Sequence, residues 1–489
     1  MSNSPKVLIA GAGPVGLTLA NELVRHGIPI RIVDKSAQRT DKSKALVLWS
    51  RTLELFDDAG YAKDFMSAGM QAHGAWISTG TEVMAKVSFD VIDSRIAYAL
   101  MIAQSETERV LEERLTASGV TVERTVELTG FTDRGTSVEA SLTRPSGEPE
   151  TVEADWLVGC DGAHSAVRHG LGFSFEGSTL QSHWALADGH IAGLDPTDHL
   201  HIYWHRDGIL AFFPIVGDRW RVIANLGPAK DGEVHPDPTL DEINRLMAHR
   251  GSPGIVMSNP VWLAAFRINE RKVRDYSKGR VFLAGDAAHI HSPAGGQGMN
   301  TGMQDAFNLA WKLSLVIAGA TGPSLLDSYS RERTAVGDRV LKNAGLMTEA
   351  ATLSNPLLQD MRNTILRIAA SFPQIRHKIA DQLAEVDIGY PDSPLTDKSS
   401  HIADGPKSGE RWPDRLPAGA GGRKFTALGP AELVTALAAR FPKLVMAAPA
   451  RDPAHATALR LIRPDGYVGF AGAPKDAARA EAYLAALGI

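Results

Sequence analysis

The sequence predicts an α/β fold built on a parallel sheet, and three observations carry that prediction. A short apolar run at residues 6–10 leads through a glycine-rich turn into a helical pattern, then into a second apolar run at 29–33. Between about residues 181 and 267 the pattern changes to short β-like runs rich in Trp, Tyr, Phe and His, as in a separate sheet inserted into the first unit. Residues 423–489 again alternate strand and helix patterns, as a small α/β unit would.

Taken in order, residues 6–10 read as a buried strand. The helix after the turn places Leu17, Ala20, Leu23 and Val24 on one face, with Arg25 and His26 in its last turn and Gly27 as its stop. The second strand, at 29–33, ends at Asp34, so strand, helix and strand form a βαβ unit. Ser105-Glu106-Thr107-Glu108 has the capping-box pattern and opens a helix that stops near Gly119. Strands and turns fill 120–158. A strand at 280–284 returns to the first unit, and a helix beginning near Met299 carries Met303, Ala306, Phe307, Ala310, Leu313 and Ile317 at helical spacing. Helices follow to about Asp387, and a Pro/Gly-rich linker occupies 391–422.

Composition narrows the function classes. A net charge of -5 provides no broad positive field, so a nucleic-acid role lacks electrostatic support. The single cysteine, Cys160, excludes an internal disulfide and any cysteine-cluster metal site, and the histidines have no zinc-like spacing, so no metal is expected. The N-terminus runs directly into a strand pattern without a signal or membrane segment, so a cytoplasmic protein without membrane partners is expected.

Gly11-Ala12-Gly13-Pro14-Val15-Gly16 is a G-x-G-x-x-G turn. Its glycines permit a tight turn and close approach of a pyrophosphate, while the following helix offers free N–H groups and a positive dipole end. Asp34, followed by Lys35, stands where a ribose hydroxyl would be gripped. Such a turn does not separate FAD from NAD. Two further segments choose flavin. Asp161 and Gly162 form a turn after an apolar strand. Gly285-Asp286 follows another strand and supplies an acid able to accept hydrogen bonds from a ribityl chain. The loop Pro293-Ala294-Gly295-Gly296-Gln297-Gly298-Met299-Asn300 then feeds a helix N-terminus whose amides suit the flavin's pyrimidine edge.

At these residues the chain resembles the group A flavoprotein aromatic hydroxylases, the family of phenol, hydroxybenzoate and polyketide hydroxylases. The resemblance runs from Lys6 to about Arg339, with 160–168 and 280–312 its most specific segments. It implies a Rossmann-like FAD-binding domain of the hydroxybenzoate-hydroxylase type with a β-sheet substrate domain. Residues 1–180 and 271–390 would form the FAD-binding domain and its helices, and 181–270 the substrate domain, to which 70–100 contribute. It implies non-covalent FAD, NADPH or NADH as co-substrate, O2, and hydroxylation of a small phenol-like or polyketide aromatic through a flavin hydroperoxide. Baeyer–Villiger insertion and epoxidation stay open on the same fold, as does, in another class, a flavin-binding sensor or interaction protein.

The resemblance also places Gln104 near the FAD ribose and pyrophosphate and Val126 with its backbone at the adenine. Lys44 stands at a basic position that is normally Arg, ahead of the segment that begins at Arg51, also expected at the cofactor. Gly409–Asp414 and Leu461–Tyr467 resemble the thioredoxin-like tail of the phenol-hydroxylase branch. Without a cysteine, that tail would pack or form a homodimer edge rather than do redox chemistry. The stretch Ala45-Leu46-Val47-Leu48-Trp49 lacks the acid that some phenol hydroxylases carry there and suggests an apolar wall. Arg267, Tyr203, Tyr98, His201 and His205 are the candidate substrate-domain polar groups. His289 and His291 fit positioning rather than acid–base work.

Overall fold

The structure is a computed structural model that describes residues 5–488 apart from 42, 231–232, 354, 400–401, 403–404, 418–421 and 450–457. The expected linker at 391–422 and the tail at 423–489 therefore lie partly outside the described residues.

The first sheet has six strands. Val7–Ala10 lies between Ile30–Asp34 and Trp156–Gly159 and is parallel to both, with Val7 opposite Ile30 on one side and Trp156 on the other. All four of its residues are buried, as befits a strand covered on both faces. It has a parallel neighbour on each side, and the carboxyl end of such a strand is where open α/β sheets form a ligand crevice. The glycine turn sits there. Helix Pro14–Arg25 starts with Pro14 in its first turn, where the missing N–H costs nothing, and ends before Gly27 at φ +76°.

One expected start is corrected. The capping box at Ser105 does not form: the helix runs Gln104–Ala117, with Ala103 at its N-cap and no side-chain cap. Gln104 competes for the same acid, its Nε2 donating to Glu108 Oε1 at 2.9 Å.

The second sheet has eight strands, and Gly74–Thr79 and Glu82–Ser88 complete one edge of it. Alternation gives it two unlike faces. Tyr203, Leu210, Phe212, Val222 and Ala224 are buried beneath helix Leu240–Arg250 through Ile243 and Met247. On the opposite face Leu200, Phe213 and Ile215 join Trp49, Phe89 and Leu383. Ile202, Ile209 and Ile223 continue that second face and remain only half-buried.

In the C-terminal part, Phe425–Gly429 pairs parallel with Val445–Pro449 and antiparallel with Leu459–Ile462, which pairs with Val468–Gly472. Its core includes Trp311 and Leu315 from helix Gly298–Ile317, so this sheet is built onto the first unit. Arg411 and Tyr467, from the two tail segments, form a β-bridge. Among the described residues no helix is long and apolar enough to cross a membrane.

Candidate active site

The three glycines of the first turn do different work. A Cβ on Gly11 would lie 2.3 Å from the Cys160 carbonyl oxygen, and one on Gly16 would lie 2.0 Å from that of Gly11, so both are required by close packing. A Cβ on Gly13 would meet nothing within 4 Å. That open side is the helix N-terminus, where Gly13 is the N-cap and no side chain caps the free amides. Asp34 braces the turn, accepting from Ala12 N at 2.6 Å and Ser36 N at 2.7 Å, and a carboxylate keeps further lone pairs for a ribose. Lys35 is exposed beside it.

The second glycine segment packs onto the same turn. A Cβ on Gly285 or Gly302 would come within 2.7 Å of Val15 Cγ2, so Val15 is wedged between the two motifs. Asp286 is exposed to solvent, although protein atoms crowd its carboxyl. Burial pushes its carboxyl above the usual range, against the pull of the His289 and Lys44 charges.

Helix Gly298–Ile317 likewise begins with no side-chain cap, and Gly295 and Gly296 before it adopt φ +85° and +65°. Its first amides, those of Gly298 and Met299 among them, meet no side-chain cap, while the Pro293 carbonyl accepts from Gly296 N at 2.9 Å. The side chains of Gln297 and Asn300 are engaged within the chain. Gln297 Nε2 donates to the Gln382 carbonyl at 2.8 Å. Asn300 holds the segment before it against the wall, accepting from Trp49 N at 2.8 Å and donating to Val47 O at 2.9 Å.

Asp161 organises its own loop, accepting from Ser165 Oγ and from Val167 N, while Gly162 takes φ +78° beside it. Arg168 ties this loop to the second glycine segment by donating to the Ala287 carbonyl at 3.1 Å. His289 Nε2 donates to Asp305 at 2.8 Å, and Arg333 donates to the same carboxylate at 2.5 Å, a structural arrangement. His291 bonds Ser292 O through Nδ1 at 2.9 Å, and burial lowers its pKa to about 4, so its ring is neutral. It therefore serves position rather than proton transfer near neutral pH.

Several expected site residues have polar groups already engaged within the chain. Arg51 is fully buried, donating to Glu54 at 3.0 Å and to the Asp465 carbonyl at 2.6 Å, with Tyr467 stacked on it, so it anchors the tail. Gln104 spends both ends of its amide on Ala45 N and Glu108. The N–H of Val126 is committed to Asp34 O, leaving only its carbonyl. Tyr203 lies on the face beneath helix Leu240–Arg250 and bonds Ser252 Oγ at 3.2 Å. Tyr98 packs with the first unit's core rather than with the apolar wall. Arg267 donates to Leu180 O at the sheet's edge. His201 bonds Pro196 O between two tryptophans, and His205 sits with Asp207 and His249 on the outer surface, where hydrogen bonds satisfy the trio.

Sequence reasoning missed two elements. Trp49 joins the wall to the flavin-type loop, its Nε1 donating to Gly295 O. Asp188 and Arg221 form a buried bidentate pair at 2.8 and 2.7 Å, and Arg221 also donates to Lys44 O, which fixes the backbone under the cleft's basic residue. Only strand register pairs these two, and no local pattern reveals it.

Two helix N-termini without side-chain caps, brought together where Gly285 and Gly302 pack on Val15, a glycine with open space beside it, and an acid after the second glycine form a donor set that fits flavin adenine dinucleotide. The sequence profile of the FAD binding domain matches residues 4–344. The chain is 37% identical over 406 residues to 6-methylpretetramide 4-monooxygenase of Streptomyces rimosus, covering 81% of this chain and 72% of that one. It is 36% identical over 486 residues to a flavin-dependent monooxygenase of Mycobacteroides abscessus, covering 95% and 96%. The structure of OxyS anhydrotetracycline hydroxylase from Streptomyces rimosus superposes with a TM-score of 0.79 at 30% identity, covering 97% of this chain and 98% of that one. The chain belongs to the FAD-binding family of flavin-dependent aromatic hydroxylases, and it is a monooxygenase that uses FAD.

Proposed function

We propose that this monooxygenase hydroxylates an extended, polycyclic phenol of the kind named by its tetracycline-pathway relatives. The observation that carries the reading is the apolar face formed by Phe213, Ile215, Leu200 and Trp49, continued by the half-buried Ile202 and Ile223. A broad, flat, water-poor surface suits fused rings better than a single small phenol.

FAD, when bound, takes hydride from the nicotinamide and activates dioxygen. The protein's part is placement. The amides of the Gly13 turn hold the pyrophosphate, Asp286 holds ribityl hydroxyls, and the N-terminus of helix Gly298–Ile317 favours negative charge on the pyrimidine edge. Trp49 and its apolar neighbours exclude water from the reacting carbon. In this reading residues 1–180 and 271–390 serve the cofactor, 181–270 with 70–100 serve the substrate, and 423–489 serve packing.

The test is anaerobic stopped-flow reduction by NADPH and NADH, with and without polycyclic and monocyclic phenols, followed by product mass and NMR analysis. Faster reduction and an added ring hydroxyl with a polycyclic phenol are expected. Stimulation by monocyclic phenols alone overturns the substrate class. Insertion into a ring bond replaces hydroxylation with the Baeyer–Villiger alternative.

A further inference from the structure

Helix Pro356–Ser371 is put together inside out. Asn355 caps it by accepting from Leu357 N and Leu358 N, and Pro356 occupies its first turn, so its start is well set. The side facing the protein is polar. Gln359 is buried and donates to the Arg206 carbonyl at 3.0 Å, and Arg362 lies over the Trp204 ring at 4.5 Å. The opposite side is apolar and bare. Leu357, Leu358, Met361, Ile365, Ile368 and the adjoining Phe372 are 46–74% exposed and fall within an arc of about 100° on a helical wheel. Of the exposed large hydrophobic side chains among the described residues, nine lie between Leu346 and Ile375. Scattered exposed apolar residues are ordinary, but a continuous stripe about 24 Å long marks a surface that is covered in use.

The stripe's own pattern identifies the cover. Met361 lies four residues before Ile365 and Ile368 three after it, while Leu357 lies eight before and Phe372 seven after. The apolar positions are therefore nearly symmetric about Ile365. An antiparallel copy of the same helix sets Leu357 opposite Phe372, Met361 opposite Ile368, and Ile365 opposite itself. Such a two-fold contact is isologous and closes on itself. On one flank of the stripe Arg367 pairs with Glu82 of its own chain at 2.8 Å, and the antiparallel arrangement brings Asp360 of the other copy to that same flank. The tail expected as a dimer edge is already engaged within its own chain, through Arg463 and Glu332 at 2.6 Å and Arg411 and Glu54 at 2.8 Å.

We infer that a second copy of this chain covers the helix Pro356–Ser371 stripe in an antiparallel two-fold dimer centred on Ile365. The test uses the FAD-loaded protein in sedimentation equilibrium. The wild-type chain is expected to dimerise at micromolar concentration. Ile365→Glu, which sets two carboxylates face to face at the axis, is expected to weaken association by roughly a hundredfold or more, with flavin absorbance and circular dichroism unchanged. Register is read by cross-linking, because the native Cys160 is buried and silent. Ile365→Cys is expected to form a disulfide between copies under mild oxidation. Leu357→Cys is expected to form one only when mixed with Phe372→Cys. A wild-type monomer at all concentrations overturns the inference, as does a dimer unaffected by Ile365→Glu, failure of Ile365→Cys to cross-link, or a monomer that binds anionic phospholipid vesicles through this helix.

Discussion

The indole Nε1 of Trp49 donates a 2.8 Å hydrogen bond to the carbonyl of Gly295. One side of Trp49 belongs to the apolar wall, where its ring meets Phe89 edge-on at 5.2 Å. The other side holds a loop whose glycines adopt left-handed backbone, φ +85° and +65°. A single side chain thus joins the apolar wall proposed for the substrate to the glycine loop proposed for the flavin. A Cβ on Gly296 would lie 2.4 Å from Val47 Cγ1, so the loop and this segment are in tight contact as well.

Trp49→Phe keeps a ring in the wall and removes only the donor. One net hydrogen bond contributes about 1 kcal/mol, so FAD affinity is expected to fall about fivefold. Flavin fluorescence titration of the apoprotein measures it. Unchanged affinity would show that this bond does not order the loop.

Asp286→Ala is expected to weaken FAD binding far more than Lys44→Ala. Hydrogen bonds from ribityl hydroxyls to the carboxylate are worth about 1.5–3 kcal/mol each, or at least tenfold in affinity. The exposed Lys44 contact is screened and worth at most about 1 kcal/mol. Equal losses in the two variants would place the ribityl chain away from Asp286.

The tail's grip on the first unit centres on Glu332. It accepts from Arg463 at 2.6 and 2.9 Å and from Lys312 at 2.7 Å, with all three side chains buried. Burial alone would raise its carboxyl, but Arg463 and Lys312 hold it far below the usual range. Glu332→Ala leaves the buried Lys312 without its carboxylate partner and Arg463 with Asp465 alone, so the holoprotein is expected to lose about 3–5 kcal/mol of stability. Urea unfolding followed by circular dichroism checks it. A loss below 1 kcal/mol, roughly the scale of a surface ion pair, would show that the network is not what holds the tail.

What was legible in the sequence follows from the range of each interaction. Gly11, Gly13, Gly16, Gly285 and Asp286 are set by strand, turn and helix next to one another in the chain, and steric rules read them directly. Arg51 looked like a cofactor residue because its motif is local, but its partner Asp465 is 414 positions away. Tyr203 was a reasonable polar candidate by alternation. Alternation sorts a strand into two faces, yet only the docking of helix Leu240–Arg250 decides which face is closed. The Trp49–Gly295 bond spans 246 positions and left no local trace. The apolar wall at 45–49 was legible because hydrophobicity needs no named partner.

The last prediction concerns pH and helix Gly298–Ile317, whose N-terminus is proposed to meet the flavin. Glu385 is buried with φ +58° and accepts from Thr301 Oγ1 at 2.5 Å and from Gln304 Nε2 at 2.6 Å, both on that helix. Burial pushes its carboxyl from 4.5 up to about 7. Below pH 4.5 the group is protonated in both folded and unfolded chains, and its contribution to stability is fully present. Between 4.5 and about 7 the unfolded chain releases the proton while the folded one retains it, so stability falls as pH rises. Above about 7 both forms are ionised and the effect is flat. At 1.36 kcal/mol per unit the total is about 3 kcal/mol. Glu385→Gln removes the titration and keeps the contacts, provided its carbonyl faces Gln304 and the Thr301 hydroxyl turns to accept from its amide. Other titrating groups, Glu332 among them, are common to both proteins and cancel in the difference. Urea unfolding of the two proteins across pH 4 to 9 is therefore expected to give a wild-type-minus-variant stability that declines between pH 4.5 and 7 and is level above. A level difference across that interval would mean that Glu385 is ionised in the folded chain, with Arg333 compensating its charge.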